Sequence, residues 1–255
     1  MQVRGIDRTI IKWIAMITML IDHIGYALIP NTTPVLNGVS IACNTIGRCA
    51  FPLFMFLLAD GFLRTRSKPK FFIRLLVMAI VSEVPFDLVK YHNWINIRGQ
   101  NVFWTLLIFF AYMWVSELLV ASAKDHGLPA TNKWTILLHV IAGIFGFCAG
   151  CILLTDYLGA GVVAGIFMYH FLVVAKEHPT IKNVPTQVIG YVLGIGFLAL
   201  SFVNPIYAFP TVLLVWNYHG KCFIKMPKWI GYAFYPAHLS VIALVLFLEG
   251  KLFPV

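Results

Sequence analysis

Stretches of about 20 mostly apolar residues, each long enough to cross a bilayer as a helix, recur from one end of this chain to the other. Short polar or Pro/Gly breaks separate them. Nothing constrains the fold more. In hydrocarbon every backbone N–H and C=O must be satisfied within the protein, so such runs become helices. Charged residues make up 11% of the 255 residues, against about 25% in a soluble domain. That is too few to coat a water-facing surface. The expectation is an all-α, polytopic membrane bundle forming a single domain over residues 1–255.

Nine spans are read from the apolar runs. They are Lys12–Ile29, Arg48–Leu63, Phe71–Val89, Val102–Ala121, Trp134–Leu154, Gly159–Val174, Val184–Val203, a short Ile206–Trp216 after Asn204-Pro205, and Ile230–Leu248. The first run follows Arg4, Arg8 and Lys12 in the manner of a signal peptide. It carries Asp22 and His23 and is followed by no small-residue cleavage pattern, so it reads as an uncleaved helix. With nine spans, fifteen of the nineteen Lys and Arg residues fall on the side of the N-terminus. Arg48, Lys90, Arg98 and Lys251 fall on the other. The positive-inside rule then predicts a cytoplasmic N-terminus and an outer C-terminus. The same rule accounts for the net charge of +9 without nucleic acid. No internal repeat suggests a transporter of inverted halves.

Ionisable groups inside a membrane are costly and mark function or pairing. Here they are Asp22, His23, Asp60, Glu83 and Asp87, with Arg48 at a helix end and His139, His170 and His238 in or near apolar runs. Lys12 and His23 are eleven residues apart, which is about 20° past three full turns and about 16 Å of rise. They share one face of the first helix, a cation at the mouth and an imidazole in depth. A neutral imidazole is a suitable general base near pH 7. The alternative is a histidine bonded to a neighbouring helix. Asp22 points about 100° away from His23, which disfavours a direct pair. Arg64, Arg66, Lys68, Lys70 and Arg74 form a dense cationic cluster after the second span. It suits phosphates, anionic lipid headgroups or topology alone. Glu83 and Asp87 share a helix face around Pro85, with Arg48 and Arg98 as candidate partners.

Cys148 and Cys151 form a C-x-x-C in an apolar run with no redox pattern around it, so packing is the better reading. A disulfide between Cys43 and Cys49 is conceivable. No His/Cys spacing matches a zinc site, and no metal is expected.

At these residues the chain resembles the TraX family, named for the membrane protein that acetylates the N-terminus of F-pilin. The matching stretches are Ile14 to Gly25, Gly47-Arg48 leading into Ala50 to Phe54, Asp60-Gly61-Phe62, Ser82 to Asp87, and Asn101 to Thr105. Asp156-Tyr157 and Phe234 to Leu239 are weaker echoes. The family often has Glu where Asp60 stands. The family is in turn similar to acyltransferase-3 enzymes and heparan glucosaminide N-acetyltransferases. Acyltransferase-3 proteins carry a basic residue, ten residues, then a catalytic His on helix one, the spacing of Lys12 and His23. The resemblance implies a multi-pass protein of the cytoplasmic membrane that takes acetyl from acetyl-CoA. His23, with Asp22, would be catalytic. Lys12 and the 64–74 cluster would hold the donor. Arg48, Asp60, Glu83, Asp87, Asn101 and His238 would serve the acceptor or a supporting network. The acceptor stays open: peptide amine, glycan, lipid or small amine. Two other classes remain, a proton-coupled small-solute transporter using the same ionisable groups and a membrane subunit without chemistry.

Overall fold

In the computed structural model the described residues are 5–30, 32–201, 204–220 and 226–252. Arg4, Lys221 and Lys225, and the side chain of Lys228, lie outside them. The protein is mostly helical: α1 Arg8–Leu28, α2 Pro34–Gly47, α3 Ala50–Arg64, α4 Lys68–Tyr91, α5 Val102–Asp125, α6 Lys133–Ile152, α7 Leu158–Val174, α8 Thr186–Ser201, a 3₁₀ stretch Asn204–Thr211 running into α9 Val212–Trp216, and α10 Lys228–Leu248. Five segments are long and apolar enough to cross a membrane, among them Pro34–Arg64 taken as one. α4 is not among them, because it carries Lys68, Lys70, Arg74, Glu83, Asp87 and Lys90.

The starts of α1, α5 and α6 follow from side chains that accept a bond from an otherwise orphaned N–H. Asp7 accepts from Thr9 N at 2.6 Å, Asn101 from Phe103 N at 3.0 Å and Asn132 from Trp134 N at 2.9 Å. Between α7 and α8, β1 (Thr180–Ile181) and β2 (Val184–Pro185) form a small hairpin. Its turn residues Lys182 and Asn183 have φ of 49° and 64°, the left-handed pair that a two-residue hairpin turn requires.

One correction concerns α2, a stretch that reads as a loop because Asn37, Ser40, Asn44 and Thr45 interrupt its apolar run. Thr33 caps it through Leu36 N, and Pro34 opens it. Ser40 and Gly47 bury against α1, Ser40 donating to Gly25 O at 3.0 Å. α2 and α3 together run back along α1. Cys43 lies against Gly25, Gly47 against Asp22 and Gly61 against Arg8. The return is therefore one long segment broken at Arg48-Cys49. The break sets Arg48 at the depth of Asp22.

α10 runs parallel to α1, with Gly231 against Lys12 and His238 against His23. α7 sits at the centre. Its Gly161 and Gly165 accept Phe51, Met55 and Phe109 from α3 and α5. On α8, Gly190 and Gly194 lie over the backbone carbonyls of Phe167 and Ala164, the close small-xxx-small approach of membrane helices.

Candidate functional site

A cavity of about 600 Å³ opens near the end of the bundle opposite the N-terminus. Asp22, His23 and Tyr26 of α1 line it, with Asn44, Thr45 and Arg48 at the α2–α3 break, Phe86 and Lys90 of α4, Asp156, Tyr157 and Tyr207. The expected separation of Asp22 and His23 is seen. Asp22 turns to the break and meets Arg48 at 3.4 Å. His23 turns to α10, where its Nδ1 lies 2.6 Å from His238 Nε2. The ring centroids are 4.9 Å apart and the planes differ by 14°. A face-over-face stack would bring the centroids closer and hold the nitrogens apart. The two rings instead meet edge to edge in one plane, the geometry of a hydrogen bond.

That geometry fixes the protons. His238 Nδ1 lies 2.7 Å from Phe234 O, which accepts only, so Nδ1 carries hydrogen and donates. In a neutral ring His238 Nε2 is then an acceptor, and His23 Nδ1 must be the donor to it. His23 Nε2 is left with its lone pair, and no protein hydrogen bond to it occurs among the described residues. A histidine held in this way can take a proton at Nε2.

Around it the charges alternate in sign. Arg48 faces Asp22, and Lys90 meets Asp156 at 2.7 Å. Tyr157 stacks on Phe51 with centroids 3.6 Å apart.

Glu83 and Asp87 find partners other than Arg48 and Arg98. Glu83 Oε2 accepts from Trp104 Nε1 at 2.9 Å and from Asn101 Nδ2, which also donates to Ala79 O at 2.8 Å. Asn101 is fully buried and spends its carbonyl on capping α5, so one amide joins α4 to α5. Asp87 Oδ2 accepts from Asn96 N at 2.7 Å, and Arg98 is exposed. Glu83 Oε1 and Asp87 Oδ1 are buried and have no hydrogen-bond partner among the described residues.

A second cavity, about 420 Å³, lies at the N-terminal end. Asp60 is its buried anchor, meeting Arg64 Nε at 2.8 Å, Arg8 Nε at 3.5 Å and the Tyr218 hydroxyl at 2.8 Å. Burial, and then the neighbouring Asp60 carboxylate, hold the Tyr218 phenol above its ordinary range, so it stays protonated and donates. The expected 64–74 cluster does not converge here. Arg64 lines the cavity, while Arg66, Lys70 and Arg74 are exposed and line neither cavity. Lys68 turns to Glu117 of α5. Lys12 shares the α1 face with His23, as the spacing predicts, and its ammonium lies over Gly231. Among the described residues no group of His, Cys, Asp and Glu is gathered for a metal ion, and Cys43, Cys49, Cys148 and Cys151 are free thiols.

Four charged side chains are seated over glycines of a facing segment. Asp22 lies over Gly47, Arg8 over Gly61, Arg64 over Gly220 and Lys12 over Gly231. A Cβ at any of the four would fall 2.0 to 2.7 Å from the charged side chain.

The model of the TraX protein family matches residues 7–246, nearly the whole chain. The chain belongs to the TraX family. A TraX-family reading thus covers both cavities and every helix from α1 to α10. The chain is also similar to the probable fimbrial assembly protein FimC (serogroup H1) of Dichelobacter nodosus. The two are 24% identical over 91% of this chain and 92% of that protein. No solved structure matches the chain.

Several cavity residues have no signature in the sequence. Lys90 and Asp156 pair across 66 positions, and Tyr26 and Tyr207 read as ordinary aromatic residues of apolar runs. Asp156, with Tyr157, carries only the weaker family echo.

Proposed function

We propose that this TraX-family protein is a membrane-embedded acyltransferase. It moves an acetyl group from cytoplasmic acetyl-CoA to an amine or hydroxyl at the outer side, with His23 as general base. The observation that carries the reading is the ordered chain Phe234 O, His238, His23, which leaves the Nε2 lone pair free on a residue lining a polar cavity. A nucleophile in that cavity would lose its proton to Nε2 as its N or O bonds to the thioester carbonyl carbon. The same proton would then go to the departing sulfur as the C–S bond breaks, so the histidine ends as it began. Lys90 and Arg48 supply positive charge near the developing oxyanion, and Asp22 and Asp156 keep those cations in place. Further support comes from the relative in Dichelobacter nodosus, whose name places it in fimbrial assembly. A pilus-related acceptor suits that relationship.

The topology that goes with this reading has nine crossings with the N-terminus in the cytoplasm. Its support is the charge asymmetry together with the 204–218 stretch, in which Tyr207 lines one cavity and Tyr218 the other. Cysteines placed at exposed Val35 and Arg66 are expected to react with impermeant reagents from opposite sides of the membrane. Labelling of both from one side would remove the crossing at α2–α3.

The direct test is purified protein in detergent, given acetyl-CoA and a nucleophilic amine. Acetylated amine and free thiol should appear together and in equal amounts. A transporter would give neither, and would need a sealed vesicle and a proton gradient to show any activity.

A further inference from the structure

The cavity at the N-terminal end is unused by the chemistry above, yet its lining is specific. Asp60, the one acid among its described lining residues, is spent. Oδ1 takes Arg64 Nε, and Oδ2 takes Tyr218 and Arg8. Two guanidinium groups against one carboxylate already leave a surplus of positive charge. Lys176 from the end of α7 adds to it, and Gln187 of α8 and His219 bring further nitrogen donors to the same wall. Arg64 is half exposed, and its terminal nitrogen lies 2.3 Å from where a Gly220 side chain would begin. Gly220 itself has φ of 69°. Bare backbone at this turn therefore gives the guanidinium its place at the rim. Donors from α3, the turn after α7, α8 and the 218–220 turn line one open space, whereas Arg66, Lys70 and Arg74 are exposed and lie outside its lining.

We infer that this cavity, bounded by Arg64, Lys176, Gln187 and His219, binds the phosphate groups of an anionic ligand. Several oxygens on one ligand satisfy donors arriving from several sides, as a phosphate does and a single carboxylate does less well. Resting on the acyltransferase reading, the ligand is the donor, held by its phosphates while its acyl end reaches the other cavity. Arg8, which meets Asp60 here, and His23 are fifteen residues apart on α1, about 22 Å at the helical rise. Only a ligand with a long flexible arm can occupy both places. Lys176, not the exposed cluster, then governs donor affinity.

The probes are coenzyme A and inorganic pyrophosphate, titrated onto the full-length protein in detergent. Lys176→Gln should weaken binding of both about tenfold, as expected when one charge-assisted contact is lost. Lys182→Gln, in the exposed hairpin turn nearby, should leave both unchanged. Wild-type binding by the Lys176 variant overturns the inference. So does weakening caused by the Arg66→Gln, Lys70→Gln pair in its place. Thermal unfolding of each variant, compared with wild type, separates lost binding from lost fold. If pyrophosphate binds through Lys176 and coenzyme A does not compete, the phosphate site stands and the acyl-donor reading falls. Repeating the titration in nanodiscs of neutral lipid and of phosphatidylglycerol identifies the source. Displacement of pyrophosphate only in the anionic discs would assign the cavity to a lipid headgroup and overturn its role in holding the donor.

Discussion

Replacing His23 with Gln is expected to cut acetyl transfer by about 10²–10⁴-fold, the usual contribution of a positioned general base. Gln keeps a side chain that can donate to His238 Nε2, and it is close to His in size, so the α1–α10 contact survives. It cannot take a proton at neutral pH. Coenzyme A binding should therefore stay near wild type while kcat falls. His23→Ala tests the other reading. If the residue only packs α1 against α10, Ala should mainly lower thermal stability and Gln should keep most of the activity. If His23 is the base, both variants are inactive and both still bind coenzyme A. Substantial turnover in the Gln variant, measured as acetylated amine, would remove His23 from the chemistry.

The second large effect is expected at His238. It acts through His23, accepting the Nδ1 proton and so keeping the lone pair at Nε2. His238→Phe removes that acceptor and frees His23 to adopt the wrong tautomer. By analogy with partners that orient a ligating histidine, whose loss costs about 10–100-fold, a fall of that size in kcat is expected, with KM for acetyl-CoA little changed. His238→Gln is the discriminating variant. Its amide oxygen can accept from Nδ1, so it should recover most of the lost rate. A packing role makes the opposite prediction, because Phe fills the space between Tyr235 and Phe234 better than Gln does. Equal loss in both variants, or greater loss with Gln, would show that the tautomer is not what His238 supplies.

How much of this was legible beforehand depends on the kind of signal. Apolar runs and charge asymmetry report on the lipid around each helix, and they placed most helices within a few residues. They missed α2, where Ser40 faces α1 and Asn44 and Thr45 face the cavity, diluting the run that marks a span. The shared face of Lys12 and His23 follows from helical period, which is local, and the structure keeps it. What Asp22, Glu83 and Asp87 bind is not local. Charge alone pointed Glu83 and Asp87 toward arginines. Burial instead gave Glu83 two neutral donors, Trp104 and Asn101, and Asp87 a backbone N–H. The His23–His238 bond joins residues 215 positions apart and rests on the parallel packing of the first and last helices. No spacing rule reaches that far. The Arg64–Arg74 cluster is dense along the chain, yet only Arg64 lines a cavity, because a new helix starts at Lys68 and the Lys68 ammonium pairs with Glu117 of α5.

Each of the seats at Gly47, Gly61, Gly220 and Gly231 holds one member of the ionic arrangement, and none of them bears a charge. The arrangement is thus written twice, once in Asp22, Arg8, Arg64 and Lys12 and once in the blank positions that receive them. A lysine or an aspartate can be exchanged for another polar residue and leave the helix intact. A methyl group at the blank partner displaces the same charged side chain while the ionisable residue itself stays unchanged. Comparisons across relatives that track only ionisable residues will therefore miss half of what keeps those residues in register, and the glycines are where a silent loss of function can enter.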